Sequence, residues 1–334
     1  MNISLDLEDD LIEYADPDNR LDARTNGLLA RKKKEFKGIT IHEHYKGKEV
    51  KNKYGRFYCI SCTEGILPKS IPHEIAQHKL LLDLKVIKGI AEITERSLKK
   101  QGYLTVDRLV DHHQYGIDAS QYSTHIYNKN CKEIYGILLE RFTSSHRHYL
   151  LSSAFFDISE IVFLDIETLG LHHCHLFLIG VAYFKNNTLH IDQFFLRNLT
   201  EEKAALYFLN QLFKKKKAIC SFNGKTFDIP FLQKRMKRYD LNDELNHPHF
   251  DMRYLAPNGF SYIRQDARLV TYEQFEFDTI RTDDVPSHLV PDFYQSYLRS
   301  NNIGSIIPII EHNKQDLITT TKLFLKLYEI EIKS

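Results

Sequence analysis

Asp165-Ile-Glu167 closes an apolar run, Ile161-Val-Phe-Leu. A strand alternates its faces, so these two carboxylates point to the same side. Two ionised acids on one face repel each other, and a cation between them removes that penalty. A hard divalent ion such as Mg²⁺ or Mn²⁺ suits the position because it takes oxygen ligands. Two further pieces could share such an ion. Asn223-Gly-Lys-Thr-Phe227-Asp228 follows the apolar stretch Ala218–Phe222 and places an acid at the start of the next helix. A carboxylate there could equally serve the helix N-terminus. His312-Asn-Lys-Gln-Asp316 spaces an imidazole and a carboxylate four apart, on one helix face.

In this order, Asp165-x-Glu167, Asn223-x-x-x-Phe227-Asp228 and His312-x-x-x-Asp316 resemble the three motifs of the DEDD 3′→5′ exonuclease superfamily, whose fold is ribonuclease-H-like. Asp251-Met-Arg-Tyr-Leu, Ala267-Arg-Leu-Val-Thr-Tyr-Glu273, Asp283-Asp284-Val-Pro286, Pro291-Asp-Phe-Tyr294 and Glu311-His-Asn-Lys-Gln-Asp316 narrow the resemblance to its YprB-type family, over about residues 155–328. The resemblance implies phosphodiester hydrolysis with two Mg²⁺ or Mn²⁺ ions. Asp165 would bridge both ions. Glu167 and Asp316 would complete the site of the ion that binds the attacking water, and Asp228 would hold the other. His312 would orient or deprotonate the water, a task that suits an imidazole of ordinary pKa, near ~6.5. Thr168, Asn223, Lys225 and Phe227 are expected along the substrate path. Tyrosine-type members carry Tyr four residues before the last Asp and histidine-type members carry His five before it. This chain has His312 in the first slot and Glu311 in the second, so the subtype stays open. The expected activity is 3′→5′ exonuclease on single-stranded or frayed DNA, with DNA favoured over RNA as partner. The alternatives are a structure-specific endonuclease, an RNase, or a catalytically silent nucleic-acid-binding protein.

Weaker signals lie around this set. Val86–Leu109 resembles a helix-hairpin-helix, with Ile87-Lys88-Gly89-Ile90-Ala91 as its turn. In that motif the backbone N–H groups grip a phosphate without reading sequence. Gly permits the tightest approach, and the usual second Gly is Ala91 here. A structural helical connector is the other reading. Cys59-x-x-Cys62, followed by His73 and His78, could make a Cys₂His₂ zinc site, although its ten-residue middle gap is shorter than the usual ~12. His172, His173, Cys174 and His175 follow the first motif and could reach the rim of its site. Gly224-Lys225-Thr226 ends like a phosphate-binding P-loop, but that motif needs Gly where Ile219 stands, which excludes it.

The elements that must position these groups are legible in outline. From about 153 onward, apolar runs alternate with helical patterns: strands near 161–165, 176–183, 189–196 and 218–222, and helices over 228–239 and 311–327. This predicts an α/β, ribonuclease-H-like mixed sheet flanked by helices over 153–334. Residues 36–152 read as a smaller α+β region, with strand-like alternation over 36–66 and the hairpin-like helices after it. Residues 1–35 read as a flexible, charged arm. The chain has 334 residues, 43% hydrophobic and 12% aromatic, enough for a real core and too much for global disorder. Lys and Arg number 45 against 44 Asp and Glu, so nucleic-acid binding must come from local patches. Five cysteines argue for reduced thiols rather than a disulfide framework. No apolar run approaches the ~18 residues of a membrane span, and no signal pattern opens the chain. A cytoplasmic protein with no membrane partner is expected.

Overall fold

β-Branched and aromatic stretches bounded by Gly, Asn and Pro become seven strands in the computed structural model, which describes residues 22–170, 174–264 and 266–333. The strands are β1 (Gly47–Asn52), β2 (Gly55–Glu64), β3 (Ile161–Thr168), β4 (Leu176–Lys185), β5 (Thr188–Phe195), β6 (Ala218–Ser221) and β7 (His249–Asp251). They form one sheet in the order β1-β2-β5-β4-β3-β6-β7. The β1–β2, β2–β5, β5–β4 and β4–β3 pairs are antiparallel. The β3–β6 and β6–β7 pairs are parallel, which requires helical crossovers between them. The expected α/β fold, a mixed sheet flanked by helices, is therefore present.

Both sheet faces are covered. Val162, Leu164 and Ile166 of β3 pack with helices Glu202–Phe213, Asp228–Arg238 and Val290–Ser300. Ile161 and Phe163 face the opposite layer, where the 27-residue helix Ile307–Lys333 crosses the sheet. Phe163 meets Phe324 of that helix edge to face, with ring centroids 5.6 Å apart. Asp165 and Glu167 continue the row of Ile161 and Phe163, so the acids stand at the end of an otherwise apolar stripe beside this long helix.

The N-terminal third departs from expectation. Residues 1–21 of the expected arm lie outside the described residues, but Ala23–Glu35 is a helix capped by Asp22, whose carboxylate accepts from Thr25 N–H at 2.7 Å. It is held against the rest of the chain, because Asn302 Nδ2 donates to Lys33 O at 2.9 Å. The alternation over 36–46 does not make a strand. Thr40 and Glu43 form a capping box, and Ile41–His44 is a helical turn. The β1–β2 hairpin is not a separate element either, since β2 adds to the free edge of β5 and one sheet crosses the expected boundary at 152/153. Helices His73–Leu81, Glu92–Lys100, Gly116–Tyr127, Cys131–Arg141 and His148–Ser152 follow, and their apolar side chains share a core with the sheet. Among the described residues, no helix is long and apolar enough to cross a membrane.

Candidate active site

Asp165 and Glu167 sit opposite Gly180 and Leu178 in the β3–β4 register, with a bulge just beyond Glu167. Asp165 is fixed by the long helix. Asn313 Nδ2 donates to its Oδ2 at 2.7 Å and to its carbonyl at 3.2 Å. Asn313 is in turn held by Gln193 of β5, whose Nε2 donates to Asn313 Oδ1 at 2.8 Å. Gly180 makes room for this: a Cβ there would lie 2.2 Å from Asn313 Oδ1.

Asp228 arrives from the other side of β3. Its Oδ1 accepts from Ile166 N–H at 3.1 Å, which ties the start of the Asp228–Arg238 helix to the strand. The turn that delivers it is braced by Asp251 at the end of β7. Asp251 accepts from the N–H groups of Asn223, at 2.7 Å, and Lys225, at 3.0 Å. Asn223 itself adopts a left-handed backbone, with φ of 71°.

Asp316 and His312 share a face of the Ile307–Lys333 helix as expected, with Nε2 3.2 Å from Oδ2. Both are engaged further. Arg281 bonds Asp316 and lies 2.7 Å from His312 Nε2, while its other contacts go to the buried Glu273 at 2.5 and 2.7 Å. Asp284 lies 2.6 Å from His312 Nδ1.

Four acids from three elements lie close enough to feel one another's charge. Burial first, then the charges of Asp316, Asp228 and Glu167, raises the carboxyl of Asp165 well above the ordinary range. Burial pushes Glu167 up to about 8 and Asp228 up to about 7. His312 moves the other way for a base: burial opposes its charge, but Asp284 and Asp316 overcome that and raise it to about 11. Among the described residues, no three of the four acids place donor oxygens within 4.8 Å of one another. Asn313 holds Asp165, Ile166 N–H holds Asp228, and Arg281 and His312 hold Asp316.

The other expected site residues scatter. Thr168 donates its hydroxyl to Gly170 O at 2.7 Å. Phe227 is half-buried against Phe231, with centroids 5.8 Å apart. Lys225, expected along the substrate path, lies mostly buried over Tyr149 and Tyr135, at 5.2 and 5.8 Å from their ring centres, and burial lowers its pKa. Lys88 and Gly89 are exposed at the turn before the Glu92–Lys100 helix, and Gly89 has a φ of 85°. The zinc expectation is not supported. Cys59 and Cys62 are three apart on β2, so they face opposite sides, one in each core layer. His73 stacks on Phe155 instead. Of the histidines after the first motif, His172 and His173 lie outside the described residues. His175 is buried in an ion-paired cluster with Glu202 and Arg235 rather than at a rim.

Sequence reasoning missed Asn313, Arg281, Glu273 and the bracing role of Asp251. Asn313 sits inside the third motif, next to His312, but nothing local marks it as a partner of a residue 148 positions away. Arg281 carries no signal at all in the sequence.

Comparison with known proteins agrees with this architecture. A family model described as the RNase_H superfamily matches residues 162–328, half of the chain. The uncharacterized protein YprB of Bacillus subtilis (strain 168) is 25% identical over 188 residues, 54% of this chain and 44% of that protein. The match thus spans less than half of that relative's length. With β3 carrying its acids at the centre of a mixed sheet and the last helix laying Asp316 beside them, the chain belongs to the RNase_H superfamily.

Proposed function

We propose that this protein is a metal-dependent nuclease that shortens single-stranded or frayed DNA from the 3′ end, with Asp165, Glu167, Asp228 and Asp316 as the ligands of two Mg²⁺ or Mn²⁺ ions. The observation that carries this reading is the placement of the acids: Asp165 and Glu167 on one face of β3, Asp228 bonded to Ile166 N–H of that strand, and Asp316 on the helix whose Asn313 holds Asp165. An all-oxygen donor set with surplus negative charge fits a hard divalent ion, which would relieve that repulsion. When bound, such ions stabilise the attacking and leaving oxygens of an in-line displacement.

The chain's own residues prepare the site. Asn313 fixes the rotamer of Asp165 through the bond to Oδ2. Asp251 shapes the turn that presents Asp228. Arg281 and His312 neutralise Asp316 in the resting protein. His312, held between Asp284 and Asp316, would orient the attacking water beside such ions. The exposed Lys88–Gly89 turn offers backbone N–H groups to a DNA phosphate, in the manner of a helix-hairpin-helix.

One feature favours a second reading. Arg281 bound to Asp316 is also how a chain without metal would satisfy this acid, as in a silent nucleic-acid-binding protein. One experiment separates the two. Labelled single-stranded, 3′-blocked, circular and RNA substrates are incubated with Mn²⁺, with and without chelator. Stepwise shortening of free 3′ ends, lost in chelator and in Asp165→Asn, supports the nuclease. The loss should exceed the ~100-fold that removal of a supporting residue can cost. Binding without cleavage supports the second reading, and unchanged cleavage by Asp165→Asn refutes the site.

A further inference from the structure

A different cluster lies in the helical layer, away from the four acids. One donor atom each from Asp83, His146 and His148 can be chosen so that all three fall within 4.8 Å of one another, and this is the group of three with that property among the described residues. Their positions are set by separate elements. Asp83 caps the short 3₁₀ turn Leu84–Val86, accepting from Lys85 N–H at 3.1 Å through Oδ1. That leaves Oδ2, which faces His148 Nε2 at 2.9 Å. His146 and His148 flank the end of the connection between helices Cys131–Arg141 and His148–Ser152, with ring centroids 4.4 Å apart and planes at 72°. Phe142 stacks on His146 at 3.9 Å and meets His148 edge-on at 5.2 Å, which holds both rings in place.

Two observations go beyond an ordinary ion pair. His148 is 4% exposed, yet its Nδ1 is buried with no hydrogen-bond partner, an unusual cost for a polar atom. His146 is half-buried, and its Nδ1 accepts from His148 N–H at 3.3 Å, which fixes the ring beside His148 and Asp83. Lys85 is 3.8 Å from Asp83 but is also drawn to Glu92 at 3.4 Å and Glu95 at 3.8 Å, and Arg147 beside the two histidines pairs with Glu331.

We propose that Asp83, His146 and His148 form a second metal site, distinct from the oxygen-only site of the acids, that takes a borderline ion of the Zn²⁺ class. Two imidazoles and one carboxylate are a donor set for Zn²⁺ or Co²⁺, not for Mg²⁺, and the half-exposed side leaves a fourth position for water. The ion would sit among Asp83, His146 and His148. It would also pin the Leu84–Ala91 turn to the connection that leads into the sheet, alongside Arg141, which already donates to Lys85 O at 3.1 Å and Ile87 O at 3.3 Å. The site thus stiffens the surface offered by Lys88 and Gly89. It does not depend on nuclease activity.

The test uses the full chain, stripped with chelator and titrated with Co²⁺. Asp165→Asn/Asp316→Asn silences the acidic site. One Co²⁺ per chain should still give the visible absorption of a four- or five-coordinate ion, without thiolate charge transfer, and Zn²⁺ should raise the melting temperature. His146→Ala and Asp83→Asn should lose both effects. Should His148→Ala fail to fold, His146→Ala, whose ring is half-exposed, gives the same comparison, and the wild-type chain replaces the double variant if that is unstable. Only weak, six-coordinate absorption, a signal that survives His146→Ala, or thiolate charge transfer would each overturn the proposal.

Discussion

Asp165 depends on a residue that no local pattern marks. Asn313 donates to its Oδ2, and Gln193 holds Asn313 from a third element. Asn313→Ala should lower activity or Mn²⁺ affinity by about 10- to 100-fold, the range for a group that orients a ligand. Gln193 Nε2 keeps its bond to Ile310 O at 2.8 Å but loses the acceptor of its other N–H, a cost of about 1–3 kcal/mol that the fold should survive. Mn²⁺ titration beside circular dichroism checks both halves. The acids make a second prediction. A carboxyl whose folded pKa exceeds its unfolded value binds more protons folded than unfolded, so stability falls as pH rises through the folded value. Glu167 at about 8 and Asp228 at about 7, against ordinary values near ~4, spread that fall from about pH 4 to about pH 8 for the metal-free chain. His312, raised to about 11, has the same sign from its unfolded value upward. Urea unfolding in chelator should show the fall, and saturating Mn²⁺ should flatten or reverse it, because the metal takes the deprotonated acids. A stability that rises with pH in chelator would contradict the raised set.

At the scale of elements, the legible parts were those with long periods. The run ending in Asp165-Ile-Glu167 became β3, the pattern over 228–239 became the Asp228–Arg238 helix, and the pattern over 311–327 lies inside Ile307–Lys333. The missed parts are short or locally capped. β7 has three residues, too few to show alternation, yet its Asp251 shapes the Asn223–Asp228 turn. The strand-like Ile39–Tyr45 stretch yields to the Thr40–Glu43 capping box. Pairing between β2 and β5 joins residues more than 120 positions apart, which no window of sequence can show. The turn at Gly224 is the joint on which these elements bear. A Cβ there would lie 2.4 Å from Ser221 Oγ and 3.4 Å from Asp228 Oδ2, so turn and acid would both shift. Gly224→Ala should destabilise the chain by roughly 1–3 kcal/mol, as overpacking does, and reduce cleavage beyond the loss in folded fraction. Thermal melts and rates measured well below the melting temperature separate the two effects.

For the whole molecule, the sequence suggests a division at 152/153 that the packing does not respect. β2 covers the edge of β5, and Phe57 packs on Phe194 and Phe208 at 5.3 and 5.5 Å between ring centres. Tyr45 donates to Glu311 at 2.9 Å, one residue from His312. On the other face, Leu84, Tyr122, Leu138 and Leu151 belong to the same core as Phe163, Phe250 and Phe324. A fragment covering 153–334 would expose the paired edge of β5 and one side of that core. An open, apolar strand edge is an aggregation site, and lost burial costs about 25 cal/mol per Å² of apolar surface. The fragment should therefore bind hydrophobic dyes, melt without cooperativity or precipitate, while residues 22–334 melt in a single transition. A cooperative, soluble 153–334 fragment with Mn²⁺-dependent cleavage would restore the division and make the N-terminal region a separable attachment. Failure of the fragment, with 22–334 intact, would mean that the hairpin and helical layer complete the fold that holds Asp165, Glu167, Asp228 and Asp316 together.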